Sequence, residues 1–369
     1  MRALCIKLKY EFMKTNITNG KLNKRSVIIA LVIVMVIVIV LISGCALVKI
    51  LNYKIPDVNF SKPKVVSQDN ALRRKIDGQI VKTEAEANLY PVAIMIENAA
   101  DSWPQTGLDK ANLVFEAITE ASIPRFVAFY ASKDEIAKIG PVRSARLYYL
   151  DWINPYAPLY LHVGGAPEAL QKINSGKYDL INFDQFFNAD YFWRDKWRYA
   201  PHNVYTSSKL IKDALTKKSL TTAVDYPTWK YKNDLELEKR PEQVNDLKIT
   251  YAPQYYNVVW KYNRDENNYI RYQDNDIHKM SNGEWVKAKN IIVQVNAMSV
   301  IDDIGRKKIT TLGQGQAWVY RDGTKIEATW KKATIKDGLK YFDNNGNEIE
   351  LNGGTTWIEV IPNADYLRD

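Results

Sequence analysis

Cysteine is almost missing from this chain: 369 residues hold two, Cys5 and Cys45. A disulfide framework, a thiolate zinc site and cysteine catalysis are therefore excluded, because Cys5 precedes a long apolar run and Cys45 stands near its far end, which puts the two on opposite sides of a membrane. Histidine is nearly as scarce, at three, and no H-E-x-x-H or equivalent spacing marks a metal site. The sequence has no G-x-S-x-G elbow, no Walker loop and no dinucleotide fingerprint, and Gly313-Gln314-Gly315 sits in β-type sequence where a turn is the simpler reading. No metal and no cofactor is implied. A basic surface is absent too, despite the formal charge of +9. Seven Lys/Arg and one acid, Glu11, precede Ser26, and without them the net charge falls to about +3. That is too little to track nucleic-acid phosphates, so no nucleic-acid partner is expected.

What the sequence does have begins behind that basic leader. Every residue from Val27 to Val48 is apolar or small and uncharged, long enough for a bilayer core that takes about 20 helical residues. Lysines ahead of the run keep the N-terminus cytosolic and send the rest outside. Ile42-Ser43-Gly44-Cys45 looks like a bacterial lipobox, with Cys45 as the acylated mature N-terminus. The alternative is an uncleaved signal anchor, and a start at Met13 in place of Met1 would shorten the leader. Both readings tether the protein to the cytoplasmic membrane on its extracytoplasmic face.

The remainder divides by composition into a basic region 1–25, an anchor 26–51, a polar tether 52–89, a first domain 90–225, a connector 226–246 and a second domain 247–369. With 46% apolar and 12% aromatic residues, two folded cores are affordable. The first domain mixes strands (91–98, 111–120, 125–132, 158–164) with helices at 166–175 and 207–219, the latter capped by a serine. A short helix is expected near Glu84 to Ala87. The second domain reads as roughly eight strands with hairpin signals at Ser281-Asn282-Gly283, Asp322-Gly323 and Asn345-Gly346. The expected fold is α+β: a mixed α/β domain, then a smaller, mostly antiparallel sandwich or barrel, behind an N-terminal anchoring helix.

Polar residues of unusual kinds interrupt the first domain. In GPVRSAR, Pro141 suits the first turn of a helix, which would put Arg143 and Arg146 on one face at the positive end of the dipole, where an anion should compensate. That anion is either Glu116, Glu120 or Asp151 of the protein itself, or a ligand gripped by the two arginines with Arg125. Glu116 and Glu120 on one strand would stand roughly 13 Å apart, too far for a glycosidase pair. A general acid or base would come instead from Glu116 or Asp184 with His202. His162 lies inside an apolar strand, as a hydrogen-bonded core histidine or a ligand contact. FWRDKWRY, with Arg194 and Arg198, has the makeup of a stacking surface or of an inward-packed amphipathic segment. Trp330-Lys331-Lys332 and Trp357 read as core tryptophans beside solvated lysines.

The order PQTGLDKANLVFEA, PRFVAFY, IGPVRSAR, LHVGG and PHNVYT, followed by DDIGR, GQGQAWVYRDG, ATWKK and GGTTWIEVIP, resembles the YerB-like lipoproteins. The resemblance runs from about Pro91 to Pro362. It implies a lipid-anchored protein with two domains of unknown function and brings no activity with it. Ser122-Ile123-Pro124 stands where the family has a glycine-rich turn. Three functions stay open: binding of an anionic wall glycan or peptide, a wall-active hydrolase or lyase, and an assembly partner for another envelope protein.

Overall fold

Alternation and β-branched content decide most of the architecture. The computed structural model describes residues 71–131, 133–220, 225–252 and 255–369; the basic leader, the apolar run with Cys45 and the first half of the tether lie outside them. Among the described residues, five strands of four or more residues come from the first half: β1 (Val92–Ile96), β2 (Leu113–Ile118), β3 (Pro124–Tyr130), β4 (Leu159–His162) and β5 (Ile181–Asp184). The second supplies β6 (Leu247–Ala252), β7 (Tyr256–Asn263), β8 (Asn268–Gln273), β9 (Asn290–Val295), β10 (Gly313–Arg321), β11 (Thr324–Lys332), the short β12 (Lys340–Phe342) and β13 (Thr356–Ile361). Helices are few: α1 (Glu84–Ala87), α2 (Leu147–Ile153), α3 (Pro167–Asn174) and α4 (Ser208–Lys217). Ser207 caps α4 by accepting from the Leu210 amide, as the sequence suggests.

The second half does not close on itself. One ten-stranded sheet runs β12-β11-β10-β9-β13-β2-β3-β1-β4-β5 through both halves. They join where β2 pairs parallel with β13, setting Glu116 opposite Glu359. Strands β1, β2, β3 and β13 are buried on both faces, which explains their largely apolar sequences, each of the last three carrying one charged residue, Glu116, Arg125 and Glu359. By contrast, β6 alternates buried and exposed residues, and β8-β7-β6 form the middle of a smaller antiparallel sheet. Its inward Ile249, Val258 and Trp260 pack with Val114, Phe126 and Trp357 on one face of the large sheet. On the other face, Tyr149 and Trp152 of α2 and Ile173 of α3 pack with Phe115, Val127 and Ile358. The expected separate sandwich or barrel is thus replaced by a layer laid over a shared sheet.

Two polar stretches are also less free than composition suggests. Residues 71–89 pack onto the body: Arg74 forks Asp77 at 2.9 and 2.6 Å, and Asp77 accepts from the Asn112 amide at 2.8 Å. In the connector, Tyr226 and Trp229 are buried, and the Trp229 indole donates to the Leu339 carbonyl at 2.7 Å. Among the described residues no helix is long and apolar enough to cross a membrane.

Candidate functional site

Strands β1, β4 and β5 run parallel, and β2 runs the same way because β3 reverses between β2 and β1. Their carboxyl ends therefore share one edge of the sheet, the usual place for a ligand crevice in such topologies. Glu97 follows β1, Glu120 follows β2, Arg125 sits at the start of β3, and Asp184 closes β5. Strands β1 and β4 pair from Val92 to Ile94 and then part. Residues 141–145 fill the gap: the Pro141 carbonyl accepts from Glu97 N–H, Arg143 N–H donates to the Met95 carbonyl, and the Arg143 carbonyl accepts from Val163 N–H. GPVRSAR is consequently extended rather than helical, since strand ends on both sides claim its backbone. The helix starts at Leu147, with Arg146 as its extended N-cap.

Both arginines nonetheless meet carboxylates. Arg146 forks Glu120 with two contacts of 2.6 Å. Burial alone would raise the Glu120 carboxyl, but the Arg146 hydrogen bonds and charge, helped by Arg125, hold it below its ordinary value. Arg125 donates to the Ser144 carbonyl at 2.9 Å and lies 3.9 Å from Glu120. Burial, then the charges of Arg146 and Arg143, push its guanidinium down to about 10, so it stays charged at neutral pH. Before it, Ala121 and Ser122 hold left-handed backbone (φ 52° and 59°), the shape a glycine-rich turn would give without a Cβ penalty.

Arg143 pairs with an acid that sequence reasoning passed over. Its Nε donates to Oε1 of Glu97 at 2.7 Å, and Oε2 of the same buried carboxylate lies 2.9 Å from His202 Nδ1. His202 Nε2 faces outward, 4.0 Å from the exposed Asp101. Among the described residues no acceptor lies on the two terminal nitrogens of Arg143, whose side chain is 23% exposed. Arg143, Arg146 and Arg125 thus stand together with the carboxylates of Glu97 and Glu120, and of the three guanidiniums it is Arg143 that has open terminal nitrogens.

The other expected site residues scatter. Glu116 is sealed at 0% exposure in a network of its own and faces no cleft. Arg271 reaches both its oxygens at 2.9 Å, and Trp357 donates to it at 3.0 Å. Arg271 also touches Gln273 and His278, whose other ring nitrogen is 2.9 Å from Gln105. Burial, then Arg271, drives His278 well below its ordinary value, so the neutral ring accepts from Arg271 at Nδ1 and donates to Gln105 from Nε2. Asp184 is buried as a loop brace, accepting from the Gly164 and Phe186 amides at 2.9 and 3.2 Å. His162 is a fully buried core histidine between the Gly164 carbonyl and Asn182, stacked on Tyr160. Arg194 bonds Asn203, and Arg198 bonds the Asp101 and Pro104 carbonyls, both at the surface.

Glu116, Asp184 and His202 therefore do not converge, and Glu97 takes the place expected of Glu116 beside His202. Glu97 was hard to find because it directly follows the all-buried strand β1. Arg271 had a signal: alternation in NNYIRYQD puts it on the face of Tyr269 and Gln273, which is inward. Lys332, expected in solvent, is 1% exposed. Around the edge stand exposed aromatics: Phe186 (66%) and Phe187 (85%) in the loop against Gly164, Trp197 (83%) and Tyr199 (92%) in the loop that carries His202. Trp197 thus projects outward instead of packing inward.

Residues 77–221 match the N-terminal domain, and residues 247–358 the C-terminal domain, of a protein family of unknown function, DUF3048. The candidate lipoprotein YerB of Bacillus subtilis (strain 168) is 30% identical over 305 residues, spanning 80% of this chain and 89% of YerB. The crystal structure of the YerB protein from Bacillus subtilis matches with a TM-score of 0.72 at 26% identity, covering 80% of this chain and 99% of that one.

Proposed function

The chain belongs to the YerB-like DUF3048 family, and on that premise we propose that it is an extracytoplasmic, membrane-tethered protein that binds an anionic envelope ligand at the arginine edge. The apolar run, the lipobox-like Ile42–Cys45 and the name of its Bacillus relative support the tether, with Cys45 as the acylated residue. One observation carries the binding reading: Arg143 is held at Nε by Glu97 while its terminal nitrogens, beside Arg146 and Arg125, have no protein acceptor among the described residues. A guanidinium fixed on one side and open on the other suits a carboxylate or phosphate. The ligand is a wall glycan or peptide bearing such a group.

Binding of the full-length, detergent-solubilised protein to purified wall fragments tests this. Losing charged hydrogen bonds worth roughly 1.5–3 kcal/mol predicts that Arg143→Ala weakens binding by about 10- to 100-fold; unchanged affinity refutes the reading. The exposed aromatic loops favour a second reading, an envelope protein seated on them. In that case a stoichiometric partner comes down equally with wild type and Arg143→Ala, and wall fragments with neither.

A further inference from the structure

Resting on that anion-binding reading, we propose that the edge is also a hydrolytic site for phosphodiesters, in which His202 is the general base, Glu97 its positioning residue and Arg143 the group that holds the substrate.

Two groups of complementary chemistry are pinned to one carboxylate. Glu97 is 2% exposed; one oxygen takes Arg143 Nε at 2.7 Å and the other lies 2.9 Å from His202 Nδ1. A carboxylate only accepts, so in the neutral ring the proton sits on Nδ1 and the Nε2 lone pair points outward. No protein donor occupies Nε2 among the described residues, and Asp101 stands off at 4.0 Å. A base oriented by a buried carboxylate is the arrangement that general-base catalysis needs. Beside it, the open terminal nitrogens of Arg143 supply two parallel donors.

The donor geometry selects the substrate class. Two parallel N–H donors with no acceptor of their own among the described residues suit the two non-bridging oxygens of a phosphodiester, a monoanion, better than the single carbonyl oxygen of a neutral carboxylic ester. Attack on phosphorus spreads further negative charge over its non-bridging oxygens, where guanidiniums stabilise it. In the step, a water O–H gives its proton to His202 Nε2 and its oxygen bonds to phosphorus. The bond from phosphorus to the departing alkoxide oxygen breaks, and that oxygen takes the proton back from the imidazolium. The products are a phosphomonoester and an alcohol, with no redox change.

Turnover of bis(4-nitrophenyl) phosphate by the full-length, detergent-solubilised protein tests this, with calorimetric binding of dimethyl phosphate as a separate readout. His202→Asn keeps a donor toward Glu97 and removes the base, so kcat falls about 100-fold or more while dimethyl phosphate still binds. In Glu97→Gln the amide oxygen goes to Arg143, which turns the NH2 toward Nδ1 and forces the proton to Nε2. That variant loses a similar factor in kcat with KM little changed, and the double variant loses no more than either alone. Equal turnover by His202→Asn and wild type, or additive losses, overturns the assignment. Binding of dimethyl phosphate without turnover by wild type also overturns it and leaves the anion-binding reading standing; absence of both overturns it as well, while the anion-binding reading is decided separately by the wall-fragment measurement.

Discussion

Replacing Arg271 with leucine removes the cation facing a carboxylate that has no water to fall back on. Glu116 and Arg271 are both at 0% exposure, with Glu116 in the first half of the chain and Arg271 in the second. The guanidinium carbon lies 5.3 to 5.9 Å from the ring centres of Trp357, Phe126 and Trp260, so it is held by aromatic faces as well as by acceptors. Breaking a buried pair by deleting one partner costs about 3–5 kcal/mol. Burial raises the Glu116 carboxyl well above its ordinary value; Arg271 pulls it down and the neighbouring Glu359 pushes it further up. Without Arg271, Glu116 takes a proton more readily, which moves the expected loss to the lower end, about 3 kcal/mol. Glu116→Gln alone should cost less, about 2 kcal/mol, since the amide oxygen still accepts from Arg271 or Trp357. The double variant should then be less destabilised than the sum by about 2 kcal/mol. Urea unfolding of the detergent-solubilised chain at pH 7, followed by tryptophan fluorescence, measures all three. A loss below about 1 kcal/mol for Arg271→Leu, or strict additivity, would refute the claim that this contact ties the halves together.

Two further outcomes follow from single groups. Burial, against the pull of Asp151 and Asp337, brings the Lys332 ammonium down to about 8 from 10.5. The unfolded chain thus binds the extra proton between those values, and stability gained from this site rises with pH across that window, by at most about 3 kcal/mol. Lys332→Met should remove that rise, read as the difference between wild-type and variant unfolding curves from pH 7 to 10. Cys45→Ala should abolish acyl mass on membrane-extracted protein, and an intact mass showing an unprocessed, unmodified wild-type N-terminus would instead establish the uncleaved anchor.

What could be read in advance is what local chemistry controls. Ser207 capped a helix because its hydroxyl answers an orphan amide, and Asp322-Gly323 turned β10 into β11 because both residues take left-handed backbone (φ 52° and 72°). The apolar runs of the first half became strands, each shorter than its run. Long-range pairing was not legible: nothing in ANLVFEAITE or TTWIEVIP says that these segments lie side by side, 243 residues apart, and make one sheet of two halves. Pro141 misled for the same reason. Its fixed φ serves an extended segment wedged between β1 and β4 as well as a helix start, and only the parting of those strands chooses.

The candidate site inherits this division. Arg143, Arg146, Arg125 and His202 were recognisable because charged groups and imidazoles interrupt apolar sequence, and Glu120 with them as a partner for the arginines, whereas Glu97, which orients Arg143 and His202, was identified only by the fold. Glu116 looked like chemistry and is a strut; Glu97 looked like the end of a strand and holds both an arginine and a histidine. The difference lies in exposure of the partners rather than in the carboxylates, which are both buried. Arg271 is sealed in, so its pair with Glu116 is complete, while Arg143 and His202 keep 23% and 21% of their side chains open. A buried acid whose partners are also buried contributes to structure; one whose partners reach solvent orients them toward whatever arrives.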